Sequence, residues 1–234
     1  MERRNTMEQF LYDLHVHTAE TSACARSMGA DMAEFYKREG YTGFVVTDHF
    51  FNGNTTVRDE SLSWEERVAR FCLGYEHAKE KGDEIGIDVF FGWEYSYHGT
   101  DFVTLGLDRA WLLAHPDVHR MDIPAYADLV HADGGFLIHA HPFLQASYIN
   151  CIRLYPKYED AVEVINGGKP QDVNRQALDY ARFYDKTETG GSDAHSVETK
   201  NLSGVVLPCK IHSTAELAAQ LAKREHTIYK KVRI

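Results

Sequence analysis

Apolar residues recur along this chain at two different spacings. Short runs rich in β-branched and aromatic residues are typical of buried strands, whereas apolar residues at every third or fourth position are typical of amphipathic helices. The short runs predict strands at residues 10–18, 44–47, 87–92, 102–107, 136–141, 161–165, 187–191, 205–207 and 227–232. The helical spacing predicts helices at residues 31–39, 63–82, 108–114, 123–133 and 171–184, and one that begins at residue 213. This alternation predicts a single α/β domain over residues 1–234, with parallel strands in a barrel-like or doubly wound arrangement.

Several of the predicted strands end in residues of the types that bind metal ions. His15 and His17 are alternate residues of the first strand, so their side chains point the same way with Cα atoms about 7 Å apart, which suits two nitrogen ligands of one ion. The later strand ends carry Asp48 and His49, Glu94, His139 and His141, and Asp193 and His195. Because the C-terminal strand ends of a β/α barrel converge on one face, the sequence predicts a shared metal site there.

The type and number of these ligands narrow the choice of metal. Imidazole and carboxylate groups suit Zn, Mn or Fe, and the absence of thiolates from the set argues against a purely structural zinc site. The set is too large for one tetrahedral ion, so we expect two or three divalent ions. Clustered ions of this kind activate water and stabilise both the attacking and the leaving oxygen of a phosphoryl group.

Composition excludes several other classes of protein. The formal net charge of −10 argues against binding to long nucleic acids, which requires a basic surface. No apolar run approaches the length of a membrane span, and no apolar segment follows Met1–Met7, so we expect neither a membrane anchor nor a signal peptide. The four cysteines, Cys24, Cys72, Cys151 and Cys209, are scattered without a Cys-x-x-Cys pair, which predicts a reducing, cytoplasmic location and no thiolate zinc site.

The motifs together resemble the PHP (polymerase and histidinol phosphatase) superfamily in type, order and approximate spacing. They are Asp-Leu-His-Val-His-Thr at 13–18, Thr-Asp-His at 47–49, Gly-Trp-Glu at 92–94, Ala-His-Pro at 140–142 and Gly-Ser-Asp-Ala-His at 191–195. The resemblance spans nearly the whole chain. It implies a distorted (β/α)7 barrel with a trinuclear metal site that hydrolyses phosphoesters.

The resemblance also implies how the ligands are shared. One ion is expected to be held by His15, His17, Glu94 and Asp193. Glu94 would bridge to a second ion served by His141, and a third would lie between His49 and His195. Many relatives carry an acidic residue or histidine shortly after the His-x-His pair, and Glu20 is the candidate here for the third ion. A further ligand is expected after the bridging Glu94, and His98 and Asp101 are equally good candidates.

Other residues are candidates for supporting roles. His139, Asp48 and His98 are the candidate catalytic residues: His139 as a ligand, a proton shuttle or a hydrogen-bonding partner, and Asp48, like Asp13, as an acceptor that orients ligand histidines. Arg153 and Lys169 follow predicted strands and are candidates for binding a substrate phosphate, although a surface role is equally compatible with the sequence.

These observations predict a metal-dependent phosphoesterase or phosphatase that hydrolyses a small phosphorylated metabolite or nucleotide, with a hydroxide that bridges two ions as the nucleophile. One alternative is a metal-dependent C–N hydrolase of the amidohydrolase type, which also begins with His-x-His. Another is a non-catalytic PHP accessory module that stabilises a partner, and a third is an exonuclease, limited by the acidic charge to very short nucleic acids. Nothing in the sequence indicates the oligomeric state.

Overall fold

The computed structural model describes residues 9–232, so the segment Met1–Met7, on which the leader prediction rests, lies outside the described residues. Strands within this range form two five-stranded sheets. In order along the first sheet, the strands are β10 (Thr227–Val232), β9 (Asn201–Leu207), β1 (Phe10–Val16), β2 (Gly43–Val46) and β3 (Asp88–Phe91). In order along the second, they are β4 (Trp93–Tyr97), β5 (Thr100–Leu105), β6 (Phe136–Ala140), β7 (Ala161–Asn166) and β8 (Thr187–Gly191).

The helices occupy the connections between these strands. They are α1 (Gly29–Arg38), α2 (Trp64–Phe71), α3 (Leu73–Ile85), α4 (Arg109–Ala114), α5 (Ile123–Ala132), α6 (Gln171–Phe183) and α7 (Thr214–Ala222), with a short 3₁₀ turn at Val118–Arg120. The single helix predicted at 63–82 is two helices that meet at Cys72. Its predicted start is correct, because Ser63 and Glu66 form a reciprocal capping box at the beginning of α2. Within the described range, no helix is long and apolar enough to cross a membrane.

The strands pair in both directions, so the α/β prediction is confirmed but the expected parallel pairing holds for only part of the fold. Strands β1, β2 and β3 are parallel to one another, as are β6, β7 and β8. In contrast, β9 is antiparallel to β1 and β10, and β5 is antiparallel to β4 and β6. The reversal at β5 follows from a tight turn at His98 and Gly99, both of which have positive φ.

The two sheets are linked at the strand ends that carry the polar motifs. Only Gly92 separates β3 from β4, so the strand predicted at 87–92 continues into a second sheet rather than ending at Glu94. A Cβ atom at Gly92 would lie 2.7 Å from the carbonyl oxygen of Thr104, which explains why glycine is needed at this crossing. Parallel bridges between His49 and Glu94 and between Val16 and Ala194 connect the sheets. In the described part of the chain, the strand ladders form two sheets rather than one closed barrel.

Both sheets contribute apolar side chains to one core cluster, and α7 adds Leu217 and Leu221. On the other side of β2 and β3, α1 packs closely against α3. A Cβ atom on Gly29 would lie 2.2 Å from the carbonyl oxygen of Gly74, and one on Gly74 would lie 1.9 Å from Thr18 Oγ1. This close approach brings both helices against the loop that follows β1, where the polar cluster begins.

Candidate metal centre

His15 and His17 at the end of β1 are fully buried, and their ring centroids are 5.1 Å apart. The Nε2 atom of His15 lies 3.2 Å from Glu94 Oε1, and that of His17 lies 3.3 Å from Asp193 Oδ1. Neither nitrogen has a hydrogen-bond partner among the described residues. Burial, together with the nearby His195 and His49, lowers the pKa of His17 well below its usual value. An unprotonated nitrogen that faces carboxylates is suited to binding a cation.

Glu94 lies at the centre of the cluster and is 1 % exposed. One of its carboxylate oxygens is 3.2 Å from both His15 Nε2 and His141 Nε2, and the other is 2.6 Å from His49 Nδ1. Burial alone would raise the pKa of Glu94, but the neighbouring His49 and His15 hold it well below its usual value. Glu94 is therefore ionised, and its two oxygens face different histidines, as a bridging ligand requires.

Asp193 closes the cluster from the end of β8, where it adopts a positive φ of 52°. Its neighbour Ser192 donates its backbone N–H to Asp13 Oδ1 at 2.9 Å, and Asp13 also accepts the backbone N–H of His15 at 3.1 Å. Asp13 therefore joins the ends of β1 and β8. Although Asp193 is buried, the nearby His15 and the hydrogen bond with His17 keep its pKa well below its usual value.

Four overlapping groups of side chains have ligand atoms within 4.8 Å of one another. They are His15, His17 and Glu94; His15, His141 and Asp193; Glu94, Asp101 and His141; and His17, His49 and His195. The structure thus brings together eight of the nine predicted metal ligands. Their imidazole nitrogens and carboxylate oxygens, several of them without hydrogen-bond partners, fit divalent ions such as Zn, Mn or Fe.

Asp101 is one of these eight because β5 runs opposite to its neighbours. Its pairing with Ala140 at the end of β6 places it beside His141, where a parallel strand would have placed it at the far end of the sheet. His98, the equally favoured alternative, is exposed at the turn, with its ring 4.5 Å from that of Tyr97. The structure therefore gives no support for His98 as a ligand or catalytic residue.

Glu20 is the predicted ligand that the structure does not bring to the cluster. Both of its carboxylate oxygens accept the backbone N–H of Gly29, at 3.0 Å each, and one lies 2.9 Å from His77 Nδ1. Glu20 therefore stabilises the beginning of α1, where a negative charge interacts favourably with the helix dipole. The loop after β1 instead brings Cys24 to His195, with Sγ 3.1 Å from Nε2. Burial would raise the pKa of Cys24, but hydrogen bonds with His195 and His49 lower it to about 6.

His139 points away from the cluster and lies in none of the four ligand groups, so the structure gives no support for its predicted role as a ligand or proton shuttle. Successive residues of β6 face opposite sides, and while Ile138 and Ala140 face the core shared by the two sheets, the ring of His139 stacks on Phe102 at 4.5 Å. Its Nδ1 atom lies 2.8 Å from a carboxylate oxygen of Glu159, which is buried in the outer layer. His141 reaches the cluster only because the chain turns there with a positive φ of 30°.

Comparisons with known proteins agree with this geometry. Residues 171–225 match a family model described as PHP-associated. A two-domain protein from Bacteroides vulgatus ATCC 8482, which contains a predicted PHP-like metal-dependent phosphoesterase, superposes on the chain with a TM-score of 0.71. The two are 16% identical, over 98% of this chain and 69% of the other. The chain therefore shares the fold of a protein that contains a PHP-like domain, and its C-terminal segment matches the PHP-associated family model.

Other structures with a similar fold have different activities in their names. The lesion-specific endonuclease PfuEndoQ from Pyrococcus furiosus is 12% identical with a TM-score of 0.62, over 94% of this chain and 58% of its own. An amidohydrolase from Chromobacterium violaceum, solved with bound sulfate and no metal, is 15% identical with a TM-score of 0.50, over 79% of this chain and 87% of its own. Among curated proteins, none matches the sequence. At these identities the likeness is one of fold.

Hydrogen bonds from outside the cluster orient its histidines. His17 Nδ1 lies 3.0 Å from Ser22 Oγ, and that hydroxyl donates to Asp48 at 2.7 Å. Asp48 also accepts the backbone N–H of Thr18 at 2.6 Å. Asp48 lies in none of the ligand groups and contacts His17 through Ser22, which is the orienting role predicted for it.

Glu163 plays the corresponding part for His15, and sequence reasoning missed it. One carboxylate oxygen lies 3.0 Å from His15 Nδ1, and the other accepts the backbone N–H of His141 at 3.1 Å and the side-chain amide of Asn166 at 2.8 Å. The sequence feature that could have identified Glu163 is its position as an acidic residue within the apolar strand Ala161–Asn166. A charge buried in a strand requires partners.

We expect Glu163→Gln to weaken metal binding about 10- to 100-fold, which is the usual effect of removing a carboxylate that orients a ligand histidine. Competition against a fluorescent chelator measures this change. Glu159→Gln is the matched control, because Glu159 is equally buried but orients His139, which lies outside the cluster. An equal loss of affinity in the two variants would contradict the assignment of Glu163.

A cavity of about 660 Å³ opens onto the cluster. Arg58, Tyr148 and Lys169 contribute to its walls. Lys169 Nζ lies 2.5 Å from Asp193, and the side chain is 18% exposed. Arg153, which was predicted to contact substrate phosphate, instead donates to the carbonyl oxygens of His98 and Cys151 and is not among the residues that line the cavity. The arginine on the cavity wall is Arg58.

Proposed function

We propose that this protein is a metal-dependent phosphoesterase that hydrolyses a small phosphorylated metabolite or nucleotide. The observation that carries the proposal is the buried cluster of eight imidazole and carboxylate side chains, several with unpartnered atoms, at the floor of a cavity that also presents cationic side chains. We infer two or three divalent ions, Zn, Mn or Fe, because the overlapping ligand groups share Glu94 and His17.

The ligand groups suggest how the residues divide among the ions. His15, His17, Glu94 and Asp193 would hold one ion, and Glu94, Asp101 and His141 a second. His17, His49 and His195 surround the third position. When bound, such ions lower the pKa of water towards neutrality and stabilise the negative charge that develops on a phosphoryl group.

Lys169 and Arg58 bind and orient the phosphate in this proposal. Burial lowers the pKa of Lys169, but the contact with Asp193, together with the nearby Glu94 and Glu163, raises it above its usual value, so the ammonium group stays charged. An ammonium group has three N–H donors, and the contact with Asp193 uses one of them, which leaves donors for phosphate oxygens. Tyr148, at the mouth of the cavity and 69% exposed, presents a ring to the rest of the substrate.

The same features disfavour the alternatives. A cyclic amide carries no anion for Lys169 and Arg58 to bind, which argues against a C–N hydrolase. An accessory module without activity has no use for a cluster of ligands that costs free energy to bury. The net charge of −10 opposes binding to long nucleic acids.

A phosphate-release assay tests the proposal. The metal-free protein is loaded in turn with Zn, Mn and Fe(II) and incubated with phosphomonoesters, nucleotides and, in parallel, cyclic amides. We expect metal-dependent release of phosphate from at least one ester, and a higher KM for that ester in Lys169→Ala but not in Arg153→Ala. Hydrolysis of amides alone, or no hydrolysis of any substrate by a metal-loaded protein, would overturn it.

We further propose that residues 1–234 act as one PHP domain, as a distorted (β/α)7 barrel. The shared core cluster and the two bridges between the sheets support this arrangement. For the location, we propose the cytoplasm. All four cysteines are free, as expected in a reducing compartment.

A further inference from the structure

Cys24 lies on the loop after β1, on the side of the cavity where Glu20 was expected. Its Sγ atom is 3.1 Å from His195 Nε2, and His49 lines the same cavity. These two histidines come from distant parts of the chain, the loop after β2 and the loop after β8. Glu20, the carboxylate expected on this loop, does not reach the two histidines, because both of its oxygens accept the N–H of Gly29.

A second observation identifies the same place as a cation site. His17 is fully buried, and its Nε2 atom has no hydrogen-bond partner among the described residues. The His17 ring is 4.3 Å from that of His195 and 4.5 Å from that of His49, measured between centroids. His49 Nδ1 is buried 2.6 Å from a carboxylate oxygen of Glu94, so a negative charge also faces this position. These three rings form one of the groups whose ligand atoms lie close enough together to share one cation.

We propose that Cys24 binds the third divalent ion as a thiolate, together with His49 and His195. The thiol proton passes to solvent as the sulfur–metal bond forms, so the ligand carries one negative charge. The other ion positions have only nitrogen and oxygen donors, whereas this one has nitrogen and sulfur. A thiolate favours Zn over Mn, so the third position selects a softer metal than the other two. This inference rests on the metal centre proposed above, but not on its substrate.

Cobalt is a suitable probe, because a Co²⁺–thiolate bond gives an intense near-ultraviolet charge-transfer band that nitrogen and oxygen ligands do not give. The full-length protein is freed of metal and titrated with Co²⁺. We expect the band in the parent protein and its loss in Cys24→Ser. Cys151→Ser and Cys209→Ser are matched controls that should retain it, because each removes an exposed thiol far along the chain from the cluster.

Protection of thiols gives a second measurement that needs no variant. Cys24, Cys151 and Cys209 are exposed and Cys72 is buried. With a chromogenic disulfide reagent, we expect three fast-reacting thiols in the metal-free protein and two after loading with Zn. Three fast thiols in the loaded protein, or an unchanged cobalt band in Cys24→Ser, would overturn the assignment. Cobalt that binds without any thiolate band would overturn this inference alone, and failure to bind cobalt would overturn the metal centre as well.

Discussion

Replacing Glu94 by Gln is expected to abolish metal-dependent hydrolysis. Glutamine keeps the volume of the side chain. It removes the carboxylate charge of Glu94, which lies 2.6–3.2 Å from nitrogen atoms of His15, His49 and His141. It also replaces one of the two carboxylate oxygens with an amide nitrogen, which cannot bind a cation. We expect kcat/KM to fall by at least about 10³-fold, equivalent to roughly 4 kcal/mol of transition-state stabilisation.

Initial rates and metal content per chain measure the two parts of this prediction. Elemental analysis after dialysis should show that Glu94→Gln retains fewer ions than the parent protein. Glu34→Gln removes the same charge from an exposed position on α1, where the side chain is 58% exposed, and should change neither quantity. Full metal content and full activity in Glu94→Gln would exclude Glu94 as a bridging ligand.

The second large effect that we expect is on thermal stability. The folded chain buries Glu94, Asp193 and Glu163 in one cluster, and both burial and the charge of Glu94 raise the pKa of Asp101. A bound cation offsets the repulsion among these buried carboxylates, and it binds only to the folded state. At a free metal concentration about 1,000 times Kd, the stabilisation is about 4 kcal/mol. For a chain of this size, that corresponds to a rise in Tm on the order of 10 °C.

Calorimetric scans with Zn and with a chelator measure this shift directly. The rise in Tm should be much smaller in Glu94→Gln. The chelator-treated form of that variant should also be less stable than the chelator-treated parent, because His15 and His49 stabilise the ionised Glu94 in the folded state and lose that partner in the variant. An equal metal-dependent shift in the two proteins would show that the ions stabilise the fold from another site.

The motifs at the strand ends were informative because spacing within a strand determines which side chains share a face. His-x-His at 15 and 17 and the histidines and carboxylates of four other strand ends could be grouped without knowing any tertiary contact. The direction in which a strand runs cannot be predicted from the spacing of its side chains. Asp101 and His98 could not be separated, because the choice depended on the reversal of β5, which a two-residue turn brings about.

Loops and turns account for the other positions at which the structure differs from the sequence-based predictions. The backbone at His141 turns with positive φ, so it does not share a face with His139 as regular alternation would require. The loop after β1 contains both Glu20 and Cys24, and residue type favoured the carboxylate. The path of that loop depends on the contact of Gly29 with Gly74, between helices that are distant in sequence. Arg58 was not identified from the sequence and Arg153 was, because both lie on loops whose paths the sequence does not specify.

The turn between β4 and β5 has a consequence for how substrates are chosen. It reverses the chain at the mouth of the cavity, where Gly99 lies on the wall and packs so closely on Ile149 that a Cβ atom would be 2.9 Å from its side chain. A longer hairpin would raise this wall and narrow the entrance without moving Glu94 or Asp101, because both are held by strand pairing below the turn. Proteins with the same buried centre can therefore diverge in the size of molecule that they admit by insertions at this single turn.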